Sequence, residues 1–323
     1  SVIDFIMKYK NLSFLDACGQ LKKENISVAP VSITTKPKKR IPRAKLLERV
    51  TQFYRKTFTE DLKGMEYLKS RGINDPAIFE IFRIGFCNGS LFQAIPNQGE
   101  IIDNLKEIGI LQENNRESFE NCVVFPILNE SGVVVSLYGR KISVLTDELK
   151  IKNTELRMDE NIKHLYLRGP RNGLFNGVCL KSYPEIILTE SIIDSLSLYQ
   201  SGIKNTVPCF GTNGFTDYHL EQLKQNKTKD VILSFDNDEA GKKGVIELKR
   251  KLQVYLFSCE IKELPKEKDI NEFLLKHGEE ELYKEFSSKL SILNSGLNKS
   301  GMLTTEDGFL VQYCDRKYIV RGV

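Results

Sequence analysis

The chain has 323 residues, is 41% hydrophobic and 28% charged, and carries a net charge of +4. That length and composition are sufficient for two or three globular domains, whereas so small a net charge does not identify a nucleic-acid partner. No run approaches the roughly 20 apolar residues of a membrane span, and the N-terminal stretch lacks the pattern of a signal peptide, which excludes a membrane protein.

Cysteine and histidine are distributed in a way that argues against a metal or disulfide scaffold within the chain. All seven cysteines stand singly, and none of the three histidines is close to a cysteine in sequence. Structural zinc sites need closely spaced Cys and His ligands, so we predict neither a zinc site nor a disulfide framework here. Isolated cysteines are typical of a reducing cytoplasm, where we expect the protein to act.

The N-terminal part is predicted to be helical. Residues 2–24 have the apolar spacing of a helical hairpin that is interrupted near Ser13, which can cap the second helix. Residues 44–58 and 66–82 form a long helical region after a Pro- and Lys-rich stretch.

The segment at 36–45 contains six basic residues and no acid. One interpretation is a solvated linker, and the other is a flexible arm that neutralises phosphates. Under the second interpretation the candidate nucleic-acid-binding residues are Lys36, Lys38, Lys39 and Arg40.

From about residue 121 the pattern changes to strands. Residues 122–128 and 133–138 are predicted to form a hairpin around a turn at 129–132, and 142–162 is polar and irregular. Residues 308–323 have the pattern of two short strands that could begin a further domain.

Strands and helices alternate between residues 185 and 261. The predicted strands are 185–189, 206–210, 231–235 and 254–261, and the predicted helices are 191–200, 216–224 and 239–252. Such alternation predicts an α/β fold with a parallel sheet, right-handed crossovers and helices on both faces.

Acidic residues follow three of these strands. Glu190 directly follows one strand, Asp236 and Asp238 follow another, and Asp269 lies beyond a third. Ligands of open parallel sheets bind at the carboxyl ends of the strands, where these carboxylates would repel one another unless cations neutralise them. Hard oxygen ligands suit Mg²⁺ or Mn²⁺, and a pair of such ions can assist phosphoryl transfer.

Each acid alone has a simpler interpretation. Asp238 can cap the helix that follows it, and Asp194 can face solvent on its helix. The joint pattern of Glu, Asp-x-Asp and a further Asp at successive strand ends is what favours a catalytic site.

The joint pattern resembles the TOPRIM domain of DnaG-type primases, topoisomerases and certain nucleases. The matching segments are 189–194 (TESIID), 210–213 (FGTN), 235–241 (FDNDEAG) and 268–271 (KDIN). The resemblance implies that Glu190, Asp236 and Asp238 are catalytic, with acid–base work for Glu190. It also implies that these three residues and Asp269 bind the divalent metal.

Other segments are similar to DnaG-type primases in particular. Residues 67–86, 123–140 and 166–177 resemble the primase catalytic core, and 2–14 resembles the helical end of its CHC2 zinc module. The resemblance implies the domains 1–26 (end of the zinc module), 27–43 (basic linker), 44–182 (mixed α/β N-terminal subdomain), 183–265 (TOPRIM domain), 266–300 (helical segment) and 301–323 (start of a β segment).

That family makes short RNA primers on single-stranded DNA from ribonucleoside triphosphates by metal-dependent nucleotidyl transfer. A replicative helicase is then a candidate partner, and Zn²⁺ would belong only to a module upstream of Ser1. Tyr166 or Phe175 could stack on a base, although their spacing also fits core residues. The candidate nucleotide- or nucleic-acid-binding residues are Arg140, Lys163, Arg168, Arg171 and Asn213, each of which could instead be an ordinary surface residue.

Three departures from the family pattern leave other functions open. Asn271 stands where the family has Asp, Ser191 where it has Gly, and Asn121-Cys122 where it has Arg. The replacement of Asp by Asn271 could weaken one metal site. A TOPRIM nuclease and an inactive nucleic-acid-binding module of a mobile-element protein therefore remain alternatives. The chain has no Walker loop, and no segment marks the nucleophilic Tyr domain of a topoisomerase.

Overall fold

The computed structural model describes residues 2–10, 12–13, 15–16, 19, 41–96, 98–142, 163–264, 267–287, 302–305, 308–313 and 316–320. The chain divides into two compact units, Ser1–Lys39 and Arg40–Val323. In the first unit, helix α1 spans Val2–Lys10 and ends with basic residues. Most of the predicted second helix of the hairpin, and the four basic candidates at 36–40, lie outside the described residues.

The N-terminal part of the second unit combines helices with an antiparallel sheet of order β1-β2-β3-β4. Its elements are α2 (Arg43–Glu60), α3 (Lys63–Ser70), α4 (Pro76–Ile81), β1 (Gly85–Cys87), α5 (Glu100–Glu107), β2 (Cys122–Leu128), β3 (Val134–Lys141) and β4 (His164–Tyr166), with 3₁₀ turns at Phe92–Ala94 and Gly177–Lys181. The predicted β2–β3 hairpin is present.

The helical region predicted at 66–82 is two helices, because local signals stop one and start the next. Gly72 follows α3 with a φ of +75°, a conformation that glycine adopts without strain. Asp75 then caps α4 by accepting a hydrogen bond from the Ala77 amide, and Pro76 occupies the first helical turn.

The predicted α/β fold is confirmed in the following part. Its elements are β5 (Glu185–Thr189), α6 (Ile192–Gln200), β6 (Thr206–Pro208), α7 (Asp217–Gln225), β7 (Asp230–Ser234), α8 (Glu239–Val254), β8 (Ser258–Ile261), α9 (Ile270–His277) and α10 (Glu279–Ser287). The four strands are parallel in the order β6-β5-β7-β8. The strand predicted at 254–261 was too long, because α8 continues to Val254 and a turn at Leu256, with a φ of +65°, precedes β8.

Helices cover both faces of this parallel sheet. On one face, Leu198 of α6, Leu274 of α9 and Leu282 of α10 pack in a core with Ile187 and Ile232 of the strands. The other face is covered by α7 and α8, whose apolar residues include Leu220, Leu223, Val245 and Leu248. Burial of apolar side chains on both faces stabilises the sheet and holds the carboxyl ends of its strands in place.

Helix α6 also joins the parallel sheet to the N-terminal sheet. Its residues Ile192, Ile193 and Leu196 share a core with Phe125 and Phe175 of the preceding part. Phe175 is only 1% exposed, so this candidate for base stacking is a core residue. Because Ile192, Ile193 and Leu196 belong to this core while Leu198 packs against the parallel sheet, α6 lies where the two sheets meet.

Both strands predicted within residues 308–323 are present, and a third strand that was not predicted precedes them. The three strands are β9 (Met302–Thr305), β10 (Gly308–Tyr313) and β11 (Arg316–Val320), arranged antiparallel in the order β11-β10-β9. No helix among the described residues is long and apolar enough to cross a membrane. The domain boundaries given above stay predictions.

Gly139 of β3 provides a test of how tightly the N-terminal sheet is packed. A Cβ atom at this position would lie 2.4 Å from Cδ1 of Phe119, which is 1% exposed. We expect Gly139→Ala to lower the free energy of unfolding by about 1–3 kcal/mol, because the buried ring has no room to move. Urea denaturation measures this change.

Ser131→Ala in the exposed turn of the same hairpin is the control, and we expect it to change the free energy by less than about 0.5 kcal/mol. Equal free energies of unfolding for Gly139→Ala and the wild type would show that the packing around β3 is looser than described.

Candidate active site

Two of the predicted acids meet at the carboxyl edge of the parallel sheet. Glu190 follows β5 and Asp236 follows the neighbouring strand β7, to which β5 is paired in register. The backbone N–H of Asp236 donates a hydrogen bond to Oε2 of Glu190 over 3.3 Å. The strand ends therefore bring these two side chains together, as expected for parallel neighbours.

Asp194 is a third acid of this site, and its interpretation as a solvent-facing residue was wrong. It is 4% exposed and lies in the first turn of α6. The Ser191 hydroxyl donates to Oδ2 of Asp194 over 2.6 Å and accepts from the Asp194 backbone N–H over 3.2 Å. The Ser-x-x-Asp spacing indicated the contact between Ser191 and Asp194 at the start of a helix, whereas the burial of Asp194 depends on contacts with α9.

The remaining predicted acids cap helices. Asp269 accepts a hydrogen bond from the Glu272 N–H over 2.7 Å at the start of α9, and it lines one cleft together with Glu190, Asp194 and Asp236. Asp238 accepts from the Gly241 N–H over 2.8 Å at the start of α8. It is exposed, and it is not among the described residues that line the cleft.

The carboxylates are destabilised in their charged form. Burial, followed by repulsion from Glu190 and Asp269, raises the pKa of Asp236 to about 7. Burial, with Asp269 and Asp236 nearby, also raises the pKa of Asp194, and burial raises that of Glu190. Lys268, whose Nζ lies 4.0 Å from Oδ2 of Asp236, lowers the pKa of Asp236 and Glu190 without cancelling the increase. The cleft therefore contains negative charge that the protein itself does not neutralise.

Asn271, where the family pattern has Asp, connects three elements at the base of the cleft. Its backbone N–H donates to Oδ1 of Asp194 over 3.2 Å. Its Nδ2 donates to the Arg71 carbonyl over 2.7 Å and to Oγ of Ser197 over 2.9 Å. An ionised carboxylate has no N–H to donate, so an Asp could not make the bond to Arg71. The side-chain amide of Asn271 thus has a structural role at the position where the family pattern has Asp.

The wall of the cleft that the N-terminal part of the unit contributes, called the basic wall, carries positive charge. The cleft encloses about 520 Å³ and is lined there by Arg71, Arg140, Lys163 and His164. Arg140 projects from β3, and its Nε donates to the Tyr67 hydroxyl over 3.2 Å while Nη1 lies 2.6 Å from Nε2 of His164. Of the predicted basic residues, Arg140 and Lys163 are therefore placed in the same cleft as the acids.

Three other predicted binding residues, Arg168, Arg171 and Asn213, are not among the described residues that line this cleft. Arg168 and Arg171 are exposed in the segment after β4, and Arg171 stacks over the Tyr166 ring at 4.7 Å. Tyr166 is 38% exposed, lines the cleft, and donates from its hydroxyl to the Phe210 carbonyl over 2.9 Å. Asn213 is exposed and is not among the described residues that line the cleft.

Among the Asp, Lys, Arg and His residues that line the cleft, sequence reasoning missed four: Arg71, Asp194, His164 and Lys268. Lys268 directly precedes Asp269, so its place in a matched motif was a usable signal. Arg71 and His164 had no such signal, because they approach the acids only when the two sheets pack together. The complete arrangement has acids on one wall and cations on the other, which suits a ligand that carries both metal ions and phosphates.

Two family models match this part of the chain. One is described as the N-terminal domain of the DNA primase catalytic core and matches residues 53–167. The other is described as Toprim-like and matches residues 187–274. Together they cover most of the N-terminal part of the second unit and its parallel sheet.

Curated relatives of the chain are bacterial DNA primases. The primase of Clostridium acetobutylicum is 28% identical over 313 residues, which is 93% of this chain and 50% of the relative. The Aquifex aeolicus primase is 28% identical over 291 residues, covering 87% of this chain and 55% of the relative. The chain thus spans about half the length of these relatives.

Solved structures show the same fold. The zinc-binding and RNA polymerase domains of Aquifex aeolicus primase align with a TM-score of 0.64 at 26% identity, over 91% of this chain and 73% of that one. The E. coli primase catalytic core aligns with a TM-score of 0.61 at 19% identity, over 79% of this chain and 85% of that one. The sequence and structural matches agree, and they show that this chain belongs to the DnaG-type primase family, with an N-terminal core domain followed by a TOPRIM domain.

Proposed function

We propose that this chain carries the catalytic core of a DNA primase, which synthesises short RNA primers on single-stranded DNA. The observation that carries the proposal is the single cleft with an acidic wall (Glu190, Asp194, Asp236 and Asp269) facing a basic wall (Arg71, Arg140 and Lys163). A nucleoside triphosphate with its divalent metal ions matches both walls, because the ions bind carboxylates and the phosphates bind cations.

The acidic wall suits Mg²⁺ or Mn²⁺, since all of its donors are carboxylate oxygens. Among the described residues, no three acidic, His or Cys side chains stand close enough together to hold an ion as they are. Burial, together with the nearby carboxylates of Glu190 and Asp269, raises the pKa of Asp236, and a bound cation would relieve this unfavourable environment. A bound ion would neutralise triphosphate charge and lower the pKa of the attacking hydroxyl.

The residues of the chain would orient the reactants. Glu190 lies beside Asp236, and its raised pKa suits it to accept the proton of the attacking 3′-hydroxyl. Asp194, Asp236 and Asp269 would hold the metal ions. Asp238, which caps α8, would bind a metal ion at the edge of the site. Arg140, Arg71 and Lys163 would bind the triphosphate and release pyrophosphate after transfer.

The template strand would pass the exposed loop after β4. A related DnaG catalytic domain has been solved bound to single-stranded DNA, at 19% identity and a TM-score of 0.61. In this chain Tyr166 offers an exposed ring beside the cleft, and Arg171 stacks on that ring. Such a pair can stack on a base and bind its phosphate.

The family resemblance extends the proposal to residues beyond the core. The aligned Aquifex aeolicus structure contains a zinc-binding domain. We propose that residues 1–26 are the helical end of a similar module, that Zn²⁺ belongs to that module alone, and that a replicative helicase is the partner of the whole protein. A nuclease with the same acids would bind metal but incorporate no ribonucleotides, whereas an inactive module would do neither.

The central acids should be essential for nucleotidyl transfer. We expect Asp236→Asn and Glu190→Gln each to lower ribonucleotide incorporation on single-stranded DNA by at least about 100-fold, because they remove the charge and keep the shape. Asp217→Asn is the matched control, since this side chain is 93% exposed on α7. Normal incorporation by either variant, at matched thermal stability, would refute the assignment of these residues.

Stability should depend on pH through the same acids. The pKa of Asp236 is raised from 3.8 to about 7, so the folded protein binds more protons than the unfolded chain in this range. Without metal, stability should therefore fall as pH rises toward 7, and Asp236→Asn should reduce that slope. Thermal unfolding in a chelator at pH 5.5 and pH 7.5 measures both quantities.

Mg²⁺ should then restore stability, and more strongly at the higher pH. At about 100 times its dissociation constant, an ion that binds only the folded state adds about 2.7 kcal/mol. Asp217→Asn should respond like the wild type and Asp236→Asn should respond less. A wild type that Mg²⁺ and Mn²⁺ leave unchanged at pH 7.5 would favour the inactive module.

Binding of single-stranded DNA should depend on the exposed arginines. We expect Arg168→Ala with Arg171→Ala to weaken binding for all sequences alike and to reduce the salt slope by about 0.7 for each lost phosphate contact. Arg250→Ala is the control, because Arg250 is exposed near the far end of α8. An unchanged salt slope in the double variant, measured by fluorescence anisotropy, would place the template elsewhere.

A further inference from the structure

Arg140 is held from two sides by residues that belong to different elements. Its Nε donates to the hydroxyl of Tyr67, a residue of α3 that lies 73 positions earlier in the chain. Its Nη1 approaches Nε2 of His164, on the neighbouring strand β4, to 2.6 Å. β3 and β4 are paired so that Arg140 stands opposite His164. Together, these contacts hold two nitrogens of one guanidinium.

The contact with His164 fixes the tautomer of the imidazole. A guanidinium only donates hydrogen bonds, so Nε2 of His164 must carry a lone pair. The ring proton is then on Nδ1, which lies 2.6 Å from the hydroxyl of the buried Tyr138 and donates to it. Burial and the charges of Arg140 and Lys163 lower the pKa of His164 to about 4, which is consistent with a neutral, accepting ring.

Tyr67 has a second contact in the basic wall. The guanidinium carbon of Arg71 lies 5.9 Å from the centre of the Tyr67 ring, while the hydroxyl of the same ring accepts from Arg140. Tyr67 therefore touches both arginines that line the cleft. The hydroxyl of Tyr67 and the imidazole of His164 are both acceptors, and neither brings a negative charge that would cancel the positive charge of Arg140.

We propose that Tyr67 and His164 are positioning residues, which hold the Arg140 guanidinium in the orientation that binds the triphosphate of the incoming nucleotide. The inference rests on the proposed function, in which Arg140 binds phosphate. A long, flexible side chain loses conformational freedom on binding, and neutral acceptors that restrain it beforehand reduce this cost. Because a guanidinium has further N–H groups, the restrained side chain can still donate to a ligand.

The proposal predicts a change in substrate affinity and little change in the chemical step. We expect His164→Leu and Tyr67→Phe each to raise the KM for ATP by about tenfold, because each removes one hydrogen-bond acceptor of a charged group. kcat should stay within about twofold of the wild type. His164→Gln should restore most of the KM, since its side-chain oxygen can accept from Arg140. Primer extension at saturating template with varied ATP gives both constants.

Arg140→Ala distinguishes positioning from a direct or purely structural role. If Tyr67 and His164 act through Arg140, then adding Tyr67→Phe or His164→Leu to Arg140→Ala should raise the KM no further. Equal KM increases in the wild-type and Arg140→Ala backgrounds would overturn the proposal. Tyr67→Phe removes a single oxygen atom, which keeps the test valid should His164→Leu fold poorly. Tyr183→Phe, at a tyrosine that is 38% exposed and does not line the cleft, is its matched control.

Failure of the positioning role can be separated from failure of the proposed function. An unchanged KM in Arg140→Ala would show that Arg140 does not bind the nucleotide, which contradicts its proposed role. A raised KM in Arg140→Ala together with wild-type constants in His164→Leu and Tyr67→Phe would leave that role intact and refute the positioning.

Discussion

Repulsion among four carboxylates at one edge of the parallel sheet constrains the architecture of the site. Glu190, Asp194, Asp236 and Asp269 line one cleft, and Lys268 is the nearest cation of their own wall. Such a cluster costs free energy when its members ionise, and the cores on both faces of the sheet must offset that cost. The same instability suits the cluster to a divalent ion, because binding the ion removes the repulsion.

The second wall is assembled by contacts between distant parts of the chain. Helix α6 packs into the core of the N-terminal sheet, and Asn271 links that sheet's side of the cleft to α9 through the Arg71 carbonyl. These contacts bring Arg140 and Arg71 to face the acids. The departure at Asn271 therefore leaves one carboxylate fewer in the cleft and adds a hydrogen bond across the junction.

The sequence was informative about local structure and about the strand ends. Periodicity predicted the parallel sheet, and the positions of Glu190 and Asp236 after their strands predicted that they would meet. The burial of Asp194 and the hydrogen bonds that hold the Arg140 guanidinium could not be predicted in this way. The first depends on α9 packing over α6, and the second joins Tyr67 to a residue 73 positions away. Pattern analysis sees neighbours along an element, whereas these contacts form between elements.

The most direct test is a crystal structure of the chain with Mn²⁺ and a non-hydrolysable ribonucleoside triphosphate. Anomalous scattering locates the metal without reference to the protein density. We predict a manganese peak among Glu190, Asp194, Asp236 and Asp269, with the triphosphate between that peak and the guanidinium of Arg140. A metal bound elsewhere, or a triphosphate that contacts neither wall of the cleft, would contradict it.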